Sequence, residues 1–175
     1  MVLDEAYIDF NAPYSFLQQL DKYPNLVILQ TFSKAWGMAG LRLGMAFASP
    51  QIISVLNKVK APYNINAAVQ QLAAQMISGN TNVAQTTQQL VAARAALSAA
   101  LQAFPFVKKV FPSDANFLLV RVDDAGRLYV YLKDKGIIVR NRSGMALCDN
   151  CLRITVGTAG ENKSLITALN AYTYA

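Results

Sequence analysis

The chain has 175 residues, 54% hydrophobic and 15% charged, a composition that excludes a disordered segment and can close a core over one large domain or two small ones. It contains no histidine, which excludes Ser-His-Asp and Cys-His nucleophile systems, an HExxH metalloprotease and a Cys/His zinc finger, and makes lysine the leading candidate for any proton transfer. Sixteen Lys and Arg against ten Asp and Glu give a net charge of +6. That excess is scattered, so it describes solvated surface or an acidic small-molecule partner, with no motif for nucleic acid.

Val2 and Leu3 lead straight into Asp4-Glu5-Ala6-Tyr7, which reads as a strand entered from the interior of a longer polypeptide. After the turn at Pro24-Asn25, the run Leu26-Val27-Ile28-Leu29 predicts a fully buried parallel strand. Its end delivers Gln30-Thr31-Phe32-Ser33-Lys34 to a site. Leu41 to Ala48 reads as another strand, Gln51 to Val59 as a helix led by Pro50, and Asn66 to Ile77 as a helix capped by Asn66 and closed by Gly79. Asn80 and Thr81 cap the longest helix, in which Leu90, Arg94, Leu97, Leu101 and Phe104 recur at helical spacing before Pro105. A helix of this length suits a crossing between domains, so the boundary is placed near Gly79, giving 1–79 and 80–175.

Strands are predicted over Val107 to Phe111 and Phe117 to Val122, and a helix over Asp124 to Lys135 closed by Gly136. Strands at Ile137-Ile138-Val139 and Leu152 to Val156 follow, with a last helix over Ser164 to Tyr172. This is a small layer of helices on a sheet. Cys148 and Cys151 form a C-x-x-C pair with no further zinc ligand, so they read as structural thiols in a reducing, cytoplasmic compartment. No apolar run reaches the length of a membrane span, and Asp4 and Glu5 stand where a signal peptide would be basic.

Four segments carry chemistry. In Thr31 to Gly44, Lys34 directly follows an apolar strand, where a solvated charge is not expected. Thr31, Ser33 and Arg42 supply donors suited to a phosphate, glycines allow close backbone approach, and a lysine can form a Schiff base with an aldehyde. Asp4 ends an apolar pair, where it is either a polar strand end or the partner of a protonated ring nitrogen, with the Tyr7 phenol three residues on. Arg153 interrupts Leu152-Arg153-Ile154-Thr155-Val156 and needs an anion, either a substrate carboxylate or a structural Asp. Arg140 ends an apolar run, as a solvent-facing strand end or a second anion contact.

These strings together resemble the fold-type-I pyridoxal-phosphate aminotransferases. Asp-Glu-Ala-Tyr, Ser-Lys-x-x-x-x-Ala-Gly-Leu-Arg-x-Gly and Cys-Leu-Arg-Ile-Thr-Val-Gly-Thr occur in order. They look most like the branch that moves an amino group between histidinol phosphate and 2-oxoglutarate. The resemblance implies an α/β fold: the C-terminal part of such an enzyme, with a remnant of the large-domain sheet followed by the small C-terminal domain. It implies pyridoxal 5'-phosphate held by Lys34, which also carries the proton. Asp4 pairs with the ring nitrogen, Tyr7 with the ring oxygen, and Thr31, Ser33 and Arg42 with the cofactor phosphate. Arg153 clamps the substrate carboxylate, Arg140 faces the phosphate of a phosphorylated amino-acid substrate, and Asn116 borders the same site. It also implies a homodimer. Relatives are about twice this length, and the opposite wall of their pocket is not found here. Related chains that decarboxylate phosphothreonine or transaminate aromatic amino acids remain alternatives, as does a folded fragment that binds no cofactor by itself.

Overall fold

The structure, a computed structural model, describes residues 1–79 and 82–172. The chain divides into two units, Met1–Thr87 and Gln88–Ala175. The predicted cap at Asn80 and Thr81 lies outside the described residues.

In the first unit, β1 (Val2–Asp4), β2 (Val27–Thr31) and β3 (Gly44–Ala48) form a sheet in that order. β1 runs parallel to β2, with Asp4 opposite Leu29, while β3 runs antiparallel to β2, with Gly44 opposite Thr31. The parallel pair carries Asp4 and Thr31 to the same edge of the sheet, because both strands end there. The expectation of a fully buried second strand needs correction: Leu26 and Ile28 are sealed at 0% exposure, but Leu29 is 39% exposed. Alternation sends successive side chains to opposite faces, and only one face of β2 is covered among the described residues. β3 also begins later than predicted. Ala39–Leu41 form a 3-10 turn and Arg42 takes a left-handed backbone conformation at φ 54°, so the chain cannot extend before Gly44.

α1 (Pro50–Val59) and α2 (Ala67–Gly79) follow. Asn66 caps α2 as its type requires, its side-chain oxygen accepting from the Val69 N–H at 2.9 Å. α3 (Val83–Gln102) begins in the first unit and continues into the second.

The second unit holds β4 (Val107–Val110), β5 (Phe117–Val122), β6 (Arg140–Asn141) and β7 (Cys151–Thr155) in the order β4-β5-β7-β6, all neighbours antiparallel. α4 (Ala125–Asp134) and α5 (Ala159–Asn170) complete it. Leu118, Val120 and Val122 of β5 and Leu152 and Ile154 of β7 meet Leu97 and Leu101 of α3, Leu128 and Leu132 of α4, and Leu165 and Leu169 of α5 in one core. The strand periodicity leaves Phe117, Leu119, Arg121, Arg153 and Thr155 on the other face of the sheet.

Two local expectations differ here. Ile137 to Val139 is not a strand; the strand is Arg140–Asn141, and Ile138 is 70% exposed. The last helix starts at Ala159 rather than Ser164, because Thr158 and Glu161 close a capping box ahead of it. Cys148 and Cys151 are both free thiols, Cys151 buried in β7. No described helix is long and apolar enough to cross a membrane.

Candidate active site

Lys34 sits three residues past the end of β2, in a loop whose path is closed by backbone bonds. The Phe32 N–H donates to Leu43 O at 3.3 Å, the Met38 N–H to Phe32 O at 2.9 Å, and the Gly37 N–H to Lys34 O at 3.1 Å. Gly37 takes φ +68°, a conformation that a side chain disfavours. Phe32 and Met38 bury themselves at 9% and 2% exposure, and Trp36 meets Phe32 edge-on at 5.4 Å between ring centroids. The loop is thereby pinned on both sides of Lys34.

The structure brings Lys34 and Tyr7 together. The lysine Nζ lies 5.1 Å from the centre of the Tyr7 ring, within reach of a cation–π attraction. Asp4, three residues before Tyr7, is exposed, and its Oδ1 accepts from the Ala6 N–H at 2.9 Å. Thr31 and Ser33 are linked to each other: the Thr31 hydroxyl donates to Leu43 O at 3.3 Å and accepts from the Ser33 N–H at 3.0 Å. Arg42 is exposed and donates from one guanidinium nitrogen to Ala39 O at 3.0 Å, and no carboxylate pairs with it among the described residues.

The remaining candidates belong to the second unit. Arg140 of β6 stands directly opposite Arg153 of β7. Like charges opposed across strands repel, and neither is paired with a carboxylate among the described residues. The Arg153 guanidinium lies over the Phe117 ring at 5.0 Å, and its Nε is buried without a hydrogen-bond partner. Among the described residues no structural Asp, one of the two partners its sequence setting allowed, pairs with Arg153. Asn116 accepts a backbone bond from the Val156 N–H at 2.9 Å, which ties it to the end of β7. The loop before Asn116 is held by Arg94, which donates to Ala115 O at 2.8 Å and reaches Asp114 at 4.0 Å.

Three side chains lie outside the expected set. Glu5 carries no expected role, yet it is 6% exposed and fully engaged. Asp9 has its carboxyl pushed up by burial, opposed by hydrogen bonds from its own backbone and from Trp36. Phe117 lies under Arg153. Only Glu5 had a legible signal, as a second carboxylate at a strand end.

A protein-family model described as aminotransferase class I and II matches residues 1–169. The chain belongs to this family. It is 55% identical over 172 residues to a histidinol-phosphate aminotransferase of Bacteroides fragilis, an alignment covering 98% of this chain and 50% of the relative. Its fold matches the histidinol-phosphate aminotransferase from Clostridium acetobutylicum with a TM-score of 0.88 at 26% identity, over 97% of this chain and 53% of that one. It matches the L-threonine-O-3-phosphate decarboxylase from Porphyromonas gingivalis with a TM-score of 0.84 at 25% identity, over 97% and 54%. The architecture is therefore the α/β fold of fold-type-I aminotransferases. The chain spans about half the length of the relatives it matches.

Proposed function

We propose that this chain serves a pyridoxal-phosphate-dependent aminotransferase that exchanges an amino group between histidinol phosphate and 2-oxoglutarate. The observation that carries the reading is Lys34, pinned in a closed loop with its amine over the Tyr7 ring. The high identity to histidinol-phosphate aminotransferase supports the substrate. We further propose that residues 1–79 belong to the cofactor-binding large domain and 80–175 to the small domain, and that the enzyme is a cytoplasmic homodimer.

The donor set fits the cofactor. The Ser33 hydroxyl and the Arg42 guanidinium match a phosphate dianion, and the Thr31 hydroxyl, which donates to Leu43 O, would join them by giving up that bond. A lysine amine matches an aldehyde, and an exposed carboxylate at Asp4 matches a protonated ring nitrogen. The bound group supplies an electron sink that lets a bond at the substrate's amino-bearing carbon break. Lys34 would hold the cofactor through its amine, and the same amine would serve as the base and acid that moves the substrate's proton. These 175 residues contain no histidine that would do this work. Asp4 would keep a ring nitrogen protonated by Coulombic attraction, and the Tyr7 phenol would donate to a ring oxygen. Arg153, with an unpartnered buried Nε, binds the carboxylate of the amino-acid or keto-acid partner; Arg140 beside it takes the phosphate of the phosphorylated substrate, and Asn116 borders them.

A decarboxylase acting on phosphothreonine is the second reading, favoured by the structural likeness to the Porphyromonas enzyme. Mixing the protein with pyridoxal phosphate and following visible absorbance tests the lysine: the band is expected in wild type and lost in Lys34→Ala, and a band that survives the substitution refutes the assignment. Carbon dioxide release from phosphothreonine, set against glutamate formation from 2-oxoglutarate and histidinol phosphate, separates the two reactions.

A further inference from the structure

Glu5 is buried among neutral groups. Its Oε2 accepts from the Ser15 hydroxyl at 2.8 Å and from the Gln30 side-chain amide at 3.0 Å, and its Oε1 accepts from the Phe16 N–H at 2.8 Å. Its own backbone N–H donates to Leu29 O at 2.8 Å, and its carbonyl accepts from the Ile8 N–H at 3.0 Å. No lysine or arginine pairs with it among the described residues. A carboxylate held this way loses its hydration without gaining an opposite charge, so it is a poor device for stability. It is a good device for geometry, because each bond has a fixed length and direction.

The positions of its partners define that geometry. Glu5 follows Asp4 directly and precedes Tyr7 by two residues. Gln30 precedes Thr31 directly and Lys34 by four. The Glu5–Gln30 bond thus spans the ends of the two parallel strands at the point where the candidate residues begin. The bonds to Ser15 and Phe16 anchor the same carboxylate to a third segment.

We propose that Glu5 is a positioning residue whose buried carboxylate sets the spacing between the Asp4–Tyr7 segment and the Thr31–Lys34 segment. The proposal rests on the reading that those segments hold pyridoxal phosphate. It assigns Glu5 no contact with the cofactor. A shift of the two strand ends moves Tyr7 and Asp4 relative to Lys34, and misplacement of about 1 Å is enough to weaken a site of this kind markedly.

The test uses pyridoxal phosphate alone with wild type, Glu5→Gln, Gln30→Leu and Lys34→Ala. Three quantities are read: the affinity for the cofactor, the pH midpoint of the visible band, and hydrogen exchange at the Ala6 and Phe16 amides without cofactor. Glu5→Gln preserves shape but, with its oxygen kept where the Ser15 and Gln30 donors converge, sets an amide N–H against the Phe16 N–H. It is expected to weaken cofactor binding about tenfold, to move the band midpoint by about half a pH unit, and to speed exchange at Phe16. Gln30→Leu leaves Glu5 two donors and is expected to move the midpoint in the same direction; it decides the matter if Glu5→Gln does not fold. Variants that fold and keep the wild-type affinity and midpoint overturn the positioning role and leave the Lys34 assignment standing. A wild-type protein with no band, or a band that persists in Lys34→Ala, overturns the underlying reading and the proposal with it.

Discussion

At the scale of single residues, the chemistry of the candidate site is a matter of which polar groups are already satisfied. Thr31 spends its hydroxyl on Leu43 and Ser33, whereas Arg42 keeps donors open and Arg153 keeps a buried Nε without a partner. Replacing Arg153 by Gln removes one charged contact to an incoming carboxylate. KM for 2-oxoglutarate is expected to rise by about tenfold to a hundredfold, as loss of a charged hydrogen bond does, with little change in cofactor affinity; steady-state kinetics and the absorbance titration check the two halves. Asp9 makes a separate prediction. Burial lifts its carboxyl above the ordinary 3.8, so the folded state holds the proton more tightly than the unfolded state. Stability is therefore highest below that ordinary value and declines as pH rises through the raised one. Asp9→Asn should raise the thermal midpoint at pH 7 and have a smaller effect near pH 3. Trp36 is the single tryptophan and bonds to Asp9, so its fluorescence should follow the same titration in wild type and not in the variant.

At the scale of elements, helix ends obey rules visible in the residues. Asn66, Asp124 and Thr158 each accept the N–H three residues on. The Thr158 case is reciprocal: Glu161 Oε2 accepts from the Thr158 N–H at 2.7 Å and from its hydroxyl at 2.8 Å. These bonds lower the Glu161 carboxyl below its ordinary 4.5. The stabilisation is present above that value and is lost as pH falls through the lowered one. A Cβ at Gly157 would come within 2.8 Å of Glu161, so the preceding glycine is part of the cap. Thr158→Ala should cost about 1 kcal/mol at pH 7, measured by denaturant unfolding, and should flatten the acid dependence. This Thr-x-x-Glu box starts the helix five residues before the expected Ser164. The strand expected at Ile137 to Val139 failed differently. Three apolar residues suit a strand, and Val139 and the partly buried Ile137 pack on the core while Ile138 is exposed, but pairing begins only where Arg140 meets Arg153.

At the scale of the whole molecule, the two units have different interiors. The second closes one core from three helices and a sheet, with Leu132 and Leu152 at 0% exposure. A polypeptide covering 82–175 is expected to unfold cooperatively by itself. Leu132→Ala in it should cost about 3 kcal/mol, read from chemical denaturation. The first unit leaves Val2, Leu29, Val55, Leu56, Val59 and Tyr63 exposed, more apolar surface than a solvated unit prefers. The protein is therefore expected to associate as its concentration rises, which sedimentation velocity measures directly.

The residues alone determined most of the strands and helices, the Asn66 cap, a parallel setting for the second strand, and the chemical type of each candidate group. These follow from local rules: apolar periodicity, capping side chains, and the need of a lysine or arginine in an apolar setting for a partner. Only the tertiary structure decided that Lys34 lies over Tyr7, that Arg140 opposes Arg153 in register, that Arg153 rests on Phe117, and that Glu5 is buried among Ser15, Phe16 and Gln30. Each is a meeting of segments separated along the chain. Strand register and loop path set such meetings, and no local pattern of residues records which distant group will stand across the gap.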